Sequence, residues 1–302
     1  MNWISKPARF FLTLSLFTML LVISCKKENS GVSGSEQYDA SLSAAESNAE
    51  AEFVFNDVFD NVMGVNNDVG MQGTGVFGRV MNAEGQNERP LACFTVSIKQ
   101  INAPATFPLQ ITIDFGQGCM GKDGHLRKGQ IVAEYSGRLI VPGKSATVSF
   151  NDFYIDSIQV TGTETIANTS SADNRQFTID VADARLSKPM GNFIAWNNHK
   201  VITQTDGLNT PDFALDDVFT IEGNSSGQFK RQDLLATWQS EIESPLVKKF
   251  PCRWIVQGKI KTTLGASTAN NPWMAELDFG SGTCDGKATV TINGTTQEIS
   301  LH

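Results

Sequence analysis

The 302-residue sequence contains only three histidines, His125, His199 and His302, and no two of its five cysteines lie within four residues of each other. Zinc sites draw their ligands from closely spaced pairs of these residue types, so we expect no bound metal. Catalytic motifs such as Gly-x-Ser-x-Gly and His-Glu-x-x-His are absent, and the Asp-Phe-Gly triplets at 114–116 and 278–280 lack the other kinase motifs. The sequence therefore predicts no cofactor and favours a protein that is not an enzyme.

The N-terminal apolar run is too short to span a membrane. Phe10–Ile23 has 14 residues, whereas a spanning helix needs about 20. An uncharged run of this length after a short basic stretch is typical of a secretory signal peptide. It leads into Leu21-Val22-Ile23-Ser24-Cys25, which resembles the lipobox of bacterial lipoproteins. We therefore expect removal of residues 1–24 and a lipid, such as palmitate, on Cys25; the alternative is an ordinary signal peptide with an incidental cysteine.

Positive charge is scarce, and cleavage makes it scarcer. Removal of residues 1–24 takes away Lys6 and Arg9 but no acid, so the 24 basic residues fall to 22 against 32 acidic ones, a formal charge of −10. Nucleic acid and anionic lipid both repel a body of this charge. We expect no nucleic-acid partner, and we expect the lipid on Cys25 to provide the attachment to the membrane.

A flexible segment and one helix are predicted next. Residues 25–40 are polar and contain Ser and Gly, which favours a flexible tether after the lipid. Ser43 and Glu46 have the spacing of a capping box, and Gly64 occupies a suitable C-terminal capping position, so we predict a helix over 41–66. An apolar stripe repeats at the helical period within it: Phe55, Phe59 and Val62. We expect this amphipathic helix to pack on the sheet of the domain.

From residue 74 to residue 302 the apolar residues alternate with polar ones, which indicates antiparallel strands with one packed face. Roughly a dozen strands are too many for one flat open sheet. We therefore predict an all-β fold, an antiparallel β-sandwich or β-roll with one N-terminal helix. Asn293-Gly294 predicts a tight hairpin turn. The alternating runs include Phe94–Ile98, Leu109–Phe115, Phe177–Val181 and Ala288–Ile292.

A weak internal repeat suggests two related halves within this region. Ile131-Val132-Ala133 followed by Asn151–Tyr154 and Gly162 resembles Ile194-Ala195-Trp196 followed by Asp216–Phe219 and Gly223, and each Asp-Phe-Gly triplet precedes a cysteine. The repeat is too loose to define a domain boundary.

Four cysteines besides Cys25 allow three disulfide connectivities. An exported protein meets an oxidising compartment in which disulfides persist. The turn-like stretches 102–108 and 265–272 each lie midway between two cysteines, so a hairpin at each would bring its two cysteines opposite each other. This geometry predicts the pairs Cys93–Cys119 and Cys252–Cys284.

Two aromatic residues are candidates for ligand binding. A sugar-binding platform needs exposed Trp or Tyr side chains, and Trp196 and Tyr154 are the two that we expect to be exposed. The remaining tryptophans of the strands share a face with aliphatic residues and are predicted to be core: Trp238, Trp254 and Trp273. The alternative function of a glycan-binding accessory protein requires Trp196 and Tyr154 to share a groove.

Four acidic residues define a less favoured alternative, a carboxylate-dependent hydrolase. They are Asp152, Asp216, Asp217 and Glu222. Two of them would have to lie about 5–9 Å apart in a pocket. Neighbouring strand residues point to opposite faces, which argues against a pair formed by Asp216 and Asp217 within one strand. We therefore interpret these acids as turn-forming residues.

Several segments together resemble a family of uncharacterised Bacteroidota lipoproteins. The segments are Ile113–Gly116 with Cys119, Arg127–Gly129, Cys252–Val256 and Leu277–Gly294. The resemblance implies export and fold, and it assigns no catalytic residue. In that group, surface display is linked to Lys followed by acids after the lipid-bearing Cys, and here Lys26-Lys27-Glu28-Asn29 supplies a single acid.

These expectations converge on a cell-envelope lipoprotein with a binding or structural role, anchored in the outer membrane. Its partner would be a glycan or another envelope protein. The sequence leaves open whether the protein faces the periplasm or the cell surface.

Overall fold

The computed structural model describes residues 34–68, 93–121, 124–139, 141–210, 216–252, 254–265 and 273–301, with helix side chains described from 34 to 62. The predicted signal peptide, Cys25, residues 25–33 of the tether and residues 74–92 lie outside the described residues. The elements are α1 (Gly34–Asp68), β1 (Thr95–Gln100), β2 (Leu109–Asp114), β3 (Cys119–Met120), β4 (Leu126–Tyr135), β5 (Ser145–Ile155), β6 (Ile158–Asn168), β7 (Gln176–Ser187), a 3₁₀ turn (Pro189–Gly191), β8 (Phe193–Asp206), β9 (Val218–Arg231), β10 (Leu234–Lys249), β11 (Ile255–Leu264), β12 (Met274–Ser281), β13 (Lys287–Ile292) and β14 (Thr295–Ser300).

The fourteen strands in the described part of the chain belong to one antiparallel sheet. Its order is β1-β2-β4-β5 and onward in sequence to β14, so almost every strand pairs with its neighbour in the chain. The two-residue strand β3 pairs with β4 beside this path. The predicted all-β class with one N-terminal helix is confirmed, and the strands form a single sheet rather than two stacked ones.

The sheet curls around α1. Between residues 40 and 62 the helix has no exposed position. Tyr135 on β4 donates a hydrogen bond to the Val62 carbonyl over 2.8 Å, and Phe55 packs against Trp196 on β8 with ring centroids 5.4 Å apart. Near the other end of the helix, Tyr38 hydrogen-bonds Gln297 on β14 over 3.5 Å. A flat sheet covers one side of a helix, so contacts with β4, β8 and β14 require a strongly curved one.

The alternating sequence runs place apolar side chains on the helix-facing side of the sheet. The runs of β2, β7 and β13 are buried as predicted, at Leu109–Phe115, Phe177–Val181 and Ala288–Ile292. The run of β1 departs from the prediction, because Ile98 is 53% exposed on this edge strand. Asn293 and Gly294 both have positive φ, 49° and 80°, and join β13 to β14 as the predicted hairpin.

Two glycines of the internal repeat lie where neighbouring strands come unusually close. A Cβ at Gly162 would lie 2.6 Å from Cα of Ala184, and a Cβ at Gly223 would lie 2.2 Å from the carbonyl oxygen of His199. The pairing of β6 with β7 shifts register at Gly162. Such irregularities bend strands and increase local twist, which helps one sheet to enclose a helix.

The helix begins earlier and continues further than predicted. It starts at Gly34, so residues 34–40 of the expected tether are helical, and Gly64 lies inside it. Ser43 and Glu46 do not cap the helix; both accept hydrogen bonds from Arg231 at the end of β9. Contacts with the sheet stabilise helical residues that local signals leave out. Among the described residues, no helix combines the length and apolarity needed to cross a membrane.

The cysteine pairs predicted from hairpin geometry are both present. Cys93 and Cys119 have Cα atoms 5.2 Å apart, and Cys252 and Cys284 have Cα atoms 5.8 Å apart, with each pair of sulfurs at disulfide distance. Each bridge closes its own local segment of the sheet, so the two bridges do not cross.

Candidate functional site

Among the described residues, five ion pairs between α1 and the rest of the domain share one polarity. In each pair the acid comes from the helix, and the base comes from a strand or, for Lys188, from the residue that follows β7. The pairs are Glu46–Arg231, Glu50–Lys188, Glu52–Lys200, Asp57–Arg127 and Asp60–Lys248. An acidic helix is therefore held inside a sheet whose inner face supplies the compensating positive charge.

A cleft of about 310 Å³ opens between the middle of the helix and the strands β10–β14. The helix contributes the stretch Glu46–Asn56 to one wall. The sheet contributes Trp254, Phe279 and Leu301 to the other wall, and Arg231 lies at the charged end. The cleft combines an apolar wall with a polar one, a composition that ligand-binding sites share.

The apolar wall is positioned by local features of the chain. Trp254 follows the bridged Cys252 and packs on Gly286, where a Cβ would lie 2.9 Å from the indole ring. Gly286 also has a φ of +65°, a conformation that favours glycine. Phe279 is buried as the centre of the second Asp-Phe-Gly triplet. The triplet has a structural role, because Asp278 accepts a hydrogen bond from the Gly280 amide over 2.8 Å.

The carboxylates of the cleft are each matched by a base. Glu46 and Arg231 are 2.8 Å apart, and Arg231 also donates to Ser43 over 3.3 Å. Glu50 contacts Lys188, and Glu52 contacts Lys200 behind the cleft. The cleft is therefore polar at the helix wall without a large uncompensated charge.

A buried polar network lies behind the cleft. Lys200 and Glu52 are almost completely buried, and burial lowers the pKa of the Lys200 ammonium, with the nearby Lys248 charge acting in the same direction. Asn48 lies one helical turn before Glu52. Its side-chain oxygen accepts hydrogen bonds from Trp196 over 3.0 Å and from Ser225 over 2.7 Å.

Glu164 is a buried acid of the interior. Its side chain is buried on β6, and Oε2 has no hydrogen-bond partner among the described residues. Burial raises the pKa of Glu164 well above its usual range, and the nearby Asp60 carboxylate raises it further.

The sequence-based pair of ligand-binding aromatics does not form a groove. Trp196 is fully buried against α1, so the expectation that it is exposed is wrong. It fills the interior because the curled sheet turns this face of β8 toward the helix. Tyr154 is partly exposed and lies under Lys128, whose Nζ is 4.7 Å from the ring centroid.

The four acids of the hydrolase alternative do not line the cleft in the described part of the chain. Asp152 lies in a β-bulge opposite Gly129, with a φ of 46°. Glu222 is an exposed residue of β9. These placements do not bring either residue into the cleft.

Asp216 and Asp217 are close together, contrary to the strand-alternation argument, because they precede β9 rather than lie within it. Asp217 accepts a hydrogen bond from Gln204 over 2.6 Å. Burial and the neighbouring charges of Asp216 and Asp206 raise the pKa of Asp217 to about 6. In the described ranges, no group of three or more His, Cys, Asp or Glu side chains has an arrangement that could hold a metal ion.

Sequence reasoning missed the residues of the cleft. Trp254 was expected in the core, and neither Glu46 nor Arg231 was singled out for binding. The contact between Glu46 and Arg231 joins residues 185 positions apart in sequence, and no local sequence pattern predicts it. Comparison with known protein families, with curated proteins and with solved structures found no match for this chain.

Proposed function

We propose that the protein is a lipid-anchored protein of the bacterial cell envelope that binds a ligand in the cleft between α1 and the sheet, without catalysing a reaction. The cleft carries the binding role, since it is a partly enclosed space with both aromatic and hydrogen-bonding walls. The lipobox-like Leu21–Cys25 supports the anchor. The two disulfides support export, because such bonds persist in oxidising compartments.

The anchor is tested by metabolic labelling with an alkyne analogue of palmitate. The natural chain is expected to incorporate the label, and Cys25→Ser is expected to abolish it because the acylated sulfur is lost. Lys26→Ala is the matched control, since it changes the neighbouring residue and keeps the sulfur. Equal labelling of the natural chain and Cys25→Ser would contradict the proposed lipid site.

Orientation is tested by protease treatment of intact cells followed by immunoblotting. In the proposed outer-membrane location, digestion while a periplasmic control survives indicates display at the cell surface. Survival until the outer membrane is opened indicates that the protein faces the periplasm. Recovery with the cytoplasmic or inner-membrane fraction would contradict the outer-membrane location.

A further inference from the structure

We propose that the cleft binds one sugar unit of an uncharged glycan, an inference that rests on the proposed binding role. The occupant is inferred from the charge, the wall chemistry and the size of the cleft.

The charge pattern favours an uncharged ligand. Each carboxylate of the cleft already contacts a base: Glu46 with Arg231, Glu50 with Lys188 and Glu52 with Lys200. An anionic ligand would be repelled by the three carboxylates. A cationic ligand would have to compete with the bases that already pair with those carboxylates. An uncharged ligand can instead exchange hydrogen bonds with paired groups without leaving a charge uncompensated.

The two walls favour a ligand with an apolar face and a hydroxylated edge. Trp254, Phe279 and Leu301 supply the apolar wall. Across the cleft, Glu46 and Asn56 can accept hydrogen bonds from hydroxyl groups, and Arg231 can donate them. A pyranose ring combines these two properties, because its C–H groups stack on aromatic rings while its hydroxyls point to the edge.

The size favours one sugar ring. The volume of about 310 Å³ lies at the lower end of the roughly 300–1,000 Å³ of small-molecule sites. The cleft is only partly enclosed, so the remainder of a glycan chain can continue into solvent.

The test uses saturation-transfer NMR on the mature lipoprotein in lipid nanodiscs. The probes are four uncharged sugars, D-glucose, D-galactose, D-mannose and N-acetyl-D-glucosamine, with glucosamine as the cation and glucuronate as the anion. At least one uncharged sugar is expected to bind with a Kd in the millimolar range. Trp254→Leu is expected to weaken that binding about 10-fold or more, because the stacking surface is lost, whereas Tyr154→Leu provides the matched aromatic control and leaves it unchanged.

A second variant keeps the proposal testable if Trp254→Leu fails to fold. Arg231→Gln lies at a half-exposed position and is expected to weaken sugar binding with the fold intact, as judged by circular dichroism. Tighter binding of glucosamine or glucuronate by 10-fold would overturn the assignment of an uncharged ligand. Absence of sugar binding, or binding unaffected by both variants, would overturn the sugar assignment.

Failure of this inference is distinguishable from failure of the proposed function. Benzyl alcohol has an apolar ring and a single hydroxyl. If it binds in a Trp254-dependent way while no sugar binds, the cleft is a binding site and the sugar assignment is rejected. If neither benzyl alcohol nor any sugar binds, the binding role itself is rejected, whereas palmitate labelling reports separately on the anchor.

Discussion

Trp196 on β8 donates a hydrogen bond from its indole Nε1 to the side-chain oxygen of Asn48 on the helix, over 3.0 Å. The same oxygen accepts a hydrogen bond from Ser225 over 2.7 Å. A polar residue in the middle of the helix thus satisfies donors from two adjacent strands. This contact orients the helix within the sheet and explains why an indole group that seemed suited to ligand binding lies in the interior.

Asn48→Leu is expected to lower the free energy of unfolding by about 2–4 kcal/mol, because it leaves buried donors of Trp196 and Ser225 without an acceptor. Urea unfolding followed by circular dichroism provides the measurement. Asn56→Leu places the same substitution at a partly exposed position of the same helix and is expected to have a much smaller effect. Equal decreases in unfolding free energy for Asn48→Leu and Asn56→Leu would show that the hydrogen bonds to Asn48 do not contribute specifically to stability.

Removal of one partner of the buried Lys200–Glu52 pair is expected to lower the free energy of unfolding more than removal of both charges does. Lys200→Met alone is expected to lose about 3–5 kcal/mol of stability, because it leaves Glu52 buried without its counter-ion. The double variant Lys200→Met with Glu52→Gln is expected to recover part of that loss. A double-mutant cycle from urea unfolding measures the coupling.

The exposed pair Lys287–Glu298 provides the control cycle. Solvent screens these side chains, so no measurable coupling is expected. If the decreases in unfolding free energy caused by Lys200→Met and Glu52→Gln simply add in the double variant, the inferred buried ion pair is contradicted.

Glu164→Gln is expected to change how stability depends on pH. The pKa of Glu164 is higher in the folded state than in the unfolded state. Between those two values the folded chain retains a proton that the unfolded chain has released, so stability falls as pH rises, by at most about 1.4 kcal/mol per pH unit. Glutamine mimics the neutral acid and removes this dependence.

The natural chain and Glu164→Gln should therefore be similarly stable near pH 4.5, the ordinary pKa of a glutamate carboxyl, and the variant should become the more stable of the two as pH rises above that value. Urea unfolding at several pH values provides the comparison. Glu134→Gln, at an exposed position of the same sheet, serves as the control. A constant difference between the natural chain and Glu164→Gln across this range would refute the raised pKa.

Each disulfide is expected to contribute to stability independently. The bridges connect cysteines 26 and 32 residues apart, for which the chain-entropy model gives about 3–4 kcal/mol each. Replacement of both cysteines of one bridge by serine is expected to lower the unfolding free energy by about that amount. The two losses should add in the variant without either bridge, and a strongly non-additive result would show that the bridges are coupled.

Much of the strand content follows from residue patterns. The run Phe177–Val181 alternates, and its apolar side chains are buried as predicted. Asn293-Gly294 forms the hairpin because a two-residue turn needs positive φ at both positions. The pairing Cys252–Cys284 also followed from local geometry, since a turn midway between two cysteines brings them together. These features depend on neighbours along the chain or within one hairpin.

The extent of the helix and the location of the cleft required the tertiary structure. Residues 34–40 contain no strong helical signal, and Ser43 with Glu46 suggested a cap where the fold instead binds Arg231. Two buried polar residues of α1, Asn48 and Glu52, have partners on strands more than 100 residues away, Trp196 for the first and Lys200 for the second. The sequence by itself determined periodicity, turns and cysteine spacing. The curvature of the sheet decided which face of each strand meets the helix, and therefore which aromatic residues are buried and which line the cleft.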